Sequence, residues 1–442
     1  MEGAVKLELL ERVINEIIRR HEVLRTRIEA DGGEPTQVIE KWRPQKLQVE
    51  DLTGLLPETR EAEAWRTARA ESRTGFDLRR GPLMRVKVLK LGPEHHLMCF
   101  TLHHIVSDGW SLGVLVREIC EIYEAISEGK ESPLPELQIQ YADYACWQRQ
   151  YLTGARLETH LDYWRKELGD GIPVVNLPSD HPRPALPGYR GAIKSFSLPA
   201  GLSQSLRSLS RREGVTLFMT LLAAFKTLLY RYTGREEIVI GTAIANRNRA
   251  EIEPLIGFFV NMLPLKTDLS GNPKFRELLG RVKEVALGGY AHQDLPFEKL
   301  VEELQPERAA SQMPFFNIAF GVQNAPVADL RLKGIEVTPL VMEEERARLD
   351  LTLWITEGNE GLQVVWTYSA DLFEEERVVR THGHFETLLS SIVARPDAAL
   401  DELEMLSEAE SARQAANRLN RKEINYSRFK NAKPRAISLT EG

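Results

Sequence analysis

His103 and His104, with Asp108 four residues beyond the second histidine and Gly109 after it, are the residues of this chain best suited to proton chemistry. Histidine is the side chain whose ordinary pKa, roughly 6.5, lets it take up a proton near neutral pH and release it again. The pair ends an apolar run, residues 97–102, and stands just before a helical pattern that starts near Ser111, a candidate N-cap. A strand would fix the first histidine, a turn would aim the second, and glycine would let a substrate approach the backbone. His104, at the turn, is the candidate base. Asp108 can fold back to hold an imidazole; it suits turn amides or a buried arginine at least as well, and that structural role is the preferred reading. A metal site is the rival for the histidines, because His95 and His96 lie close by in sequence. Those two follow Gly92-Pro93 at what reads as a hairpin tip, at the far end of the strand from His103. No metal site is therefore expected.

The elements around these residues follow from periodicity. Met84, Val86 and Val88 alternate with Arg85 and Lys87, so the strand carrying His103 is the return strand of an antiparallel hairpin. Leu7, Leu10, Ile14 and Ile17 form a helix stripe that ends at His21, where a helix C-terminus favours an imidazole for structural reasons. Leu115, Ile119, Ile122 and Ile126 form a second stripe after the histidine motif. A single helix is expected from Tyr141 to about Leu168, and residues 217–229 are apolar almost all round, as in a helix buried between layers. Leu349, Leu351, Leu353 and Ile355 begin a second hairpin, and a last helix runs over about residues 374–393. Five prolines between Pro173 and Pro187 mark the linker.

With 442 residues, 43% of them hydrophobic and 27% charged, the sequence suits two domains and a tail. The formal net charge of -7 gives no reason to expect nucleic acid or an anionic membrane as partner. Cys99, Cys120 and Cys146 sit in apolar segments without metal-ligand spacing. No apolar run approaches the roughly 20 residues that span a bilayer, and a cytoplasmic protein is expected. Residues 413–435 carry eight lysines and arginines against one glutamate and read as a linker or the start of another domain.

Laid out in this order, residues from about 5 to 408 resemble the condensation domains of non-ribosomal peptide synthetases. Residues 20–26 resemble the family's second motif, residues 103–111 its HHxxxDG active-site motif, residues 141–147 the fourth, 256–261 the fifth and 292–298 the sixth. The resemblance implies an α/β (α+β) fold of two chloramphenicol acetyltransferase-like lobes, each a mixed sheet with helices, arranged as a V around a tunnel. The lobes would be residues 1–170 and 191–408, joined by the proline-rich linker 171–190 and followed by a basic tail, 409–442. It further implies amide formation by attack of a carrier-bound aminoacyl amine on a carrier-bound acyl or peptidyl thioester. Upstream donor and downstream acceptor carrier domains would deliver these on phosphopantetheine, beside adjacent synthetase or tailoring domains and with no resident cofactor, in secondary-metabolite or antibiotic biosynthesis.

Within that resemblance His104 matches the catalytic histidine, His103 and Asp108 its supports, and Gly109 the backbone near the acceptor amine. Arg247 matches the position that pairs with Asp108, and Asn261 the fifth-motif asparagine near the tunnel; Trp110 and Ser111 complete the support. The intact first histidine argues against cyclisation domains, Trp110 favours condensation over epimerisation, and the motif wording looks most like domains joining two L-configured residues. The family's first motif would precede residue 5, and the seventh is matched only in part by residues 308–314. These departures, with a tail loosely similar to linkers leading into an oxygenase, motivate the alternative of a catalytically silent docking module that recruits a tailoring enzyme or carrier protein. A freestanding acyltransferase using a soluble coenzyme A thioester is a third reading.

Overall fold

The computed structural model describes residues 1–169, 174–186, 188–305, 313–323, 330–340, 346–358, 361–407 and 410–413. Most of the partial seventh motif and nearly all of the basic tail lie outside the described residues.

The alternating residues 84–90 form the strand Met84–Lys90, which pairs antiparallel with His96–Leu102 from Met84↔Leu102 to Lys90↔His96. Gln48–Asp51 adds a third strand, parallel to the first. The helix Leu7–Arg20 buries Leu10, Val13, Ile14 and Ile17, residues that recur at helical spacing. They share a core with Val114, Leu115, Ile119 and Ile122 of the helix Gly109–Ser127.

The second half is built on a six-stranded sheet ordered Gly191–Ser197, Gly361–Ser369, Leu351–Gly358, Ile318–Gln323, Glu237–Ile244 and Asn261–Asp268. Ile318–Gln323 pairs parallel with both neighbours and the other pairs are antiparallel. The helix Leu217–Thr233 buries every residue from Met219 to Leu229, as its all-round apolar sequence requires. That set includes Lys226, whose Nζ donates to Leu265 O at 2.7 Å, Thr267 Oγ1 at 2.7 Å and Ile238 O at 3.3 Å. The lysine thereby ties this helix to two neighbouring strands, although burial holds its pKa well below the ordinary value. Among the described residues no single helix is long and apolar enough to cross a membrane.

The expected single helix from Tyr141 to Leu168 is two, Tyr141–Tyr151 and Gly154–Leu168. The break is at Leu152-Thr153, and Gly154 adopts a φ of +53°, a left-handed conformation that glycine takes without steric cost. The second of these helices places Leu161, Trp164 and Leu168 in the core of the six-stranded sheet. In the other direction, Ile256, Leu332 and Ile335 of the second half lie in the first-half core, and the two-residue strand Ile335–Glu336 pairs with Glu2–Gly3. The proline-rich segment is strapped to the second half by Asp180 with Arg377 and by Arg183 with Asp350.

His382, in the helix Glu375–Ala394, stacks on Phe196 at 3.8 Å and accepts the Trp366 indole N–H on Nδ1 at 3.3 Å. Burial pushes its pKa from 6.5 down to about 4; Glu386, 3.8 Å away, does not offset that. As the pH falls from 6.5 to 4 the unfolded chain therefore binds the proton that the folded chain refuses, and stability drops. At about 1.4 kcal/mol per pH unit the loss is on the order of 3 kcal/mol. Urea unfolding at several pH values is expected to show this dependence in the native chain and a flatter one in His382→Gln.

Candidate active site

The return strand delivers His103 to the end of the three-stranded sheet, where its backbone N–H donates to Leu83 O at 2.9 Å. Its Nδ1 accepts the Ile105 amide at 3.0 Å and so caps the short turn His104–Val106. Phe76 meets the ring edge-on at 5.7 Å. Burial, and then His104 and Arg348, pull the His103 pKa down, which keeps Nδ1 available as the acceptor. His103 is therefore the brace of the turn that presents His104.

His104 is exposed and contacts Ser107 O through Nδ1 at 2.6 Å. A carbonyl oxygen only accepts, so Nδ1 carries the proton and, in the neutral ring, Nε2 holds a free lone pair. The ring also meets Phe258 edge-to-face, at 5.1 Å and 90°. Gly109 lies across the turn, and a Cβ built there would meet nothing within 4 Å, so the space beside this backbone is open.

Asp108 turns away from the imidazole. It caps the helix Gly109–Ser127, accepting the Ser111 amide on Oδ1 at 2.8 Å. The helix thus starts at Gly109, and the N-cap is Asp108 rather than Ser111. The correction has a physical cause: Asp and Ser cap about equally well, and the tertiary partners of each side chain decide. The second Asp108 oxygen accepts the Phe259 and Val260 amides at 2.9 and 3.3 Å. Ser111 is instead fully buried, donating to Gly257 O at 2.7 Å and accepting the Gly257 amide at 3.1 Å. Arg247 donates to Ser111 Oγ at 2.8 Å and lies 3.5 Å from Asp108. Its other terminal nitrogen donates to Ile252 O at 2.5 Å and Leu255 O at 2.8 Å. Burial lowers the Arg247 pKa, with Asp108 opposing. Trp110 completes the seam with an indole N–H to Glu253 O at 3.0 Å.

This seam makes residues 252–260 of the second half a latch on the first. Sequence periodicity did not single out three of its parts. Tyr141 donates its phenol to Phe258 O at 2.9 Å, and burial raises its pKa so that it remains a donor. Gly257 allows the Tyr141 ring to lie where a Cβ would clash with it. Glu118 takes Arg20 at 2.9 Å and His21 Nε2 at 2.7 Å, all three buried, while His21 Nδ1 accepts the Ile256 amide at 3.4 Å. Burial pushes the Glu118 carboxyl up, but His21 and Arg20 outweigh it and hold it below the usual range. A signal for Glu118 existed, since it lies on the buried stripe of Leu115 and Ile122.

Asn261 stands at the start of its strand, away from His104 in its hydrogen bonding. Its amide donates to Gln293 O and Leu295 O at 2.9 and 2.7 Å, and its oxygen accepts from Met262 and Phe297 amides, both at 2.9 Å. The contacts to Gln293, Leu295 and Phe297 order the turn that opens the helix Phe297–Leu304. His292, just before that turn, pairs with His160 across 3.1 Å.

A family model described as Condensation domain matches residues 1–414. A linear gramicidin synthase polypeptide of Brevibacillus parabrevis is 45% identical over 409 residues, which cover 92% of this chain and 5% of that protein. The chain thus spans a small part of that relative's length. The crystal structure of the X-domain from teicoplanin biosynthesis is similar with a TM-score of 0.82 and 28% identity, covering 92% of this chain and 91% of that one. That domain is also solved as a complex with OxyB. The condensation domain from monacolin K polyketide synthase MokA gives a TM-score of 0.77 at 22% identity, covering 90% of this chain and 92% of that one. This last likeness bears on the fold alone.

Proposed function

The chain belongs to the condensation-domain family, with its two-lobed chloramphenicol acetyltransferase-like fold, and from that premise we propose that it forms an amide between two carrier-bound substrates. An aminoacyl amine on a downstream carrier attacks the thioester carbonyl of an acyl or peptidyl group on an upstream carrier. The N–C bond forms, the C–S bond breaks, the amine proton passes to His104 Nε2, and the departing thiolate takes up a proton. The observation that carries this reading is the Nδ1–H of His104 held on Ser107 O at 2.6 Å, which leaves Nε2 as an exposed acceptor. His103 supports the turn, Asp108 with Trp110, Ser111 and Arg247 closes the latch, and Gly109 leaves room beside its backbone for the acceptor amine. Asn261 orders the turn at residues 293–297. Holding two tethered reactants together contributes up to roughly 7–11 kcal/mol in favourable cases, so the demand on the base is modest. The lobes of this reading are residues 1–170 and 191–408, joined by 171–190.

The likeness to the X-domain that is solved with OxyB favours a second reading, a silent module that docks a tailoring enzyme on the same fold. The two part in one experiment. The chain is mixed with donor and acceptor carrier proteins loaded with candidate aminoacyl thioesters, and the acceptor is followed by intact mass. Amide on the acceptor supports condensation; carrier binding without amide, over a panel of loaded pairs, moves the assignment to docking.

A further inference from the structure

His104 owes its orientation to two contacts that come from opposite halves of the molecule. Ser107 O, from its own turn, takes the Nδ1 proton. Phe258, from the latch, lies perpendicular to the ring at 5.1 Å. The hydrogen bond restrains one edge of the imidazole, but an exposed side chain held at one edge still swings about that bond, and the flanking ring removes this freedom.

Phe258 is itself held in place. Burial alternates along the latch there, with Gly257 and Phe259 buried and Phe258 and Val260 half-buried, so Phe258 and Phe259 face different surroundings. Phe259 points into the first half, edge-on to Tyr141 at 5.1 Å and beneath the Arg247 guanidinium at 4.1 Å. Phe258 instead meets His104. Its backbone is pinned at three successive residues: Gly257 by Ser111, the Phe258 carbonyl by Tyr141 and the Phe259 amide by Asp108. Two of these anchors, Asp108 and Ser111, belong to the same short segment as His104. The closure of the halves and the aim of the imidazole are therefore one structural event.

We propose that Phe258 is a positioning residue that holds the His104 imidazole with Nε2 towards the reacting amine. The inference rests on the amide-forming reading above and deepens it, because that reading needs a lone pair aimed as well as present. Aromatic shape is what the position requires, since a rigid ring can lie perpendicular to the imidazole from a half-buried site.

The test uses the full chain with Phe258→Leu, Phe258→Ala and Phe258→Tyr, nitrogen-15 labelled at histidine. In the native chain the His104 imidazole is expected to show a single tautomer with the proton on Nδ1. In Phe258→Leu, which keeps bulk and every backbone anchor, the tautomer signal is expected to become averaged. Its kcat should fall about 10–10²-fold, the scale of a small misplacement, with KM for each carrier within about two-fold. Phe258→Tyr should restore both, and Phe258→Ala should resemble Leu if it folds. The proposal is overturned if the single tautomer persists in Phe258→Leu, if Tyr is as impaired as Leu, or if KM rises while kcat is unchanged. Absence of amide from the native chain would defeat the amide-forming reading, and the tautomer spectra alone would then decide the positioning role.

Discussion

His104→Ala is expected to lower amide formation by about 10²–10⁴-fold, the range for loss of a general base, while costing the fold only about 1–2 kcal/mol. Both halves of that expectation come from the geometry. The imidazole is exposed and its hydrogen-bond partner among the described residues is Ser107 O, the carbonyl of a buried residue, so truncation removes little packing and costs about the one lost hydrogen bond. Its Nε2, by contrast, is the acceptor aimed outward at the turn. Measured by intact mass of the acceptor carrier under single turnover, the loss should lie in the bond-forming step and not in carrier affinity. A loss below about 10-fold would make the imidazole an orienting group and place nearly all the rate in tethering and alignment. His104→Gln, which keeps a hydrogen-bond former near Ser107 O but cannot take the amine proton, separates the two: it should be as slow as alanine if the base matters, and faster if orientation does.

The local elements and the candidate base were legible because each depends on near neighbours in sequence. The hairpin of residues 84–102 shows as alternation, the buried helix at 217–229 as a stretch apolar almost all round, and His104 as a histidine at a strand end with Gly109 in the turn beyond it. The seam between the halves was not legible in the same way. Residues 256–261 show an apolar run with one glycine and one asparagine, and nothing local says that Phe259 will be held by Asp108, 151 residues earlier. The same lack of information misplaced the helix start. Whether Asp108 or Ser111 caps it depends on Gly257, which takes the Ser111 hydroxyl. Ile335–Glu336 is too short to register as a strand; its pairing with Glu2–Gly3 comes from tertiary placement. The break at Leu152-Thr153 was lost because apolar residues recur at helical spacing on both sides of it.

That seam also sets the cost of removing Asp108. Asp108→Ala strips a helix N-cap, worth about 0.5–2 kcal/mol, and leaves the Phe259 and Val260 amides without their acceptor and Arg247 without its carboxylate. Each buried amide left without its acceptor costs roughly 1–3 kcal/mol. A total destabilisation of about 3–5 kcal/mol is therefore expected in urea unfolding, the terms overlapping and not adding in full. The geometry says which partner matters more. Arg247 stands 3.5 Å from the carboxylate, longer than a charge-assisted bond of about 2.7–2.9 Å, and gives its better bonds to Ser111, Ile252 and Leu255. The Ser111 and Phe259 amides approach to 2.8 and 2.9 Å. The backbone amides, and not the ion pair, then hold Asp108 in place. A double-mutant cycle of Asp108→Ala with Arg247→Met is expected to give a coupling of about 1 kcal/mol or less, well below the cost of Asp108→Ala itself. Asp108→Asn should be nearly as damaging as alanine, because its NH₂ would face an N–H donor on whichever side it turned. A coupling comparable to the full cost would instead make the ion pair the lock between the halves.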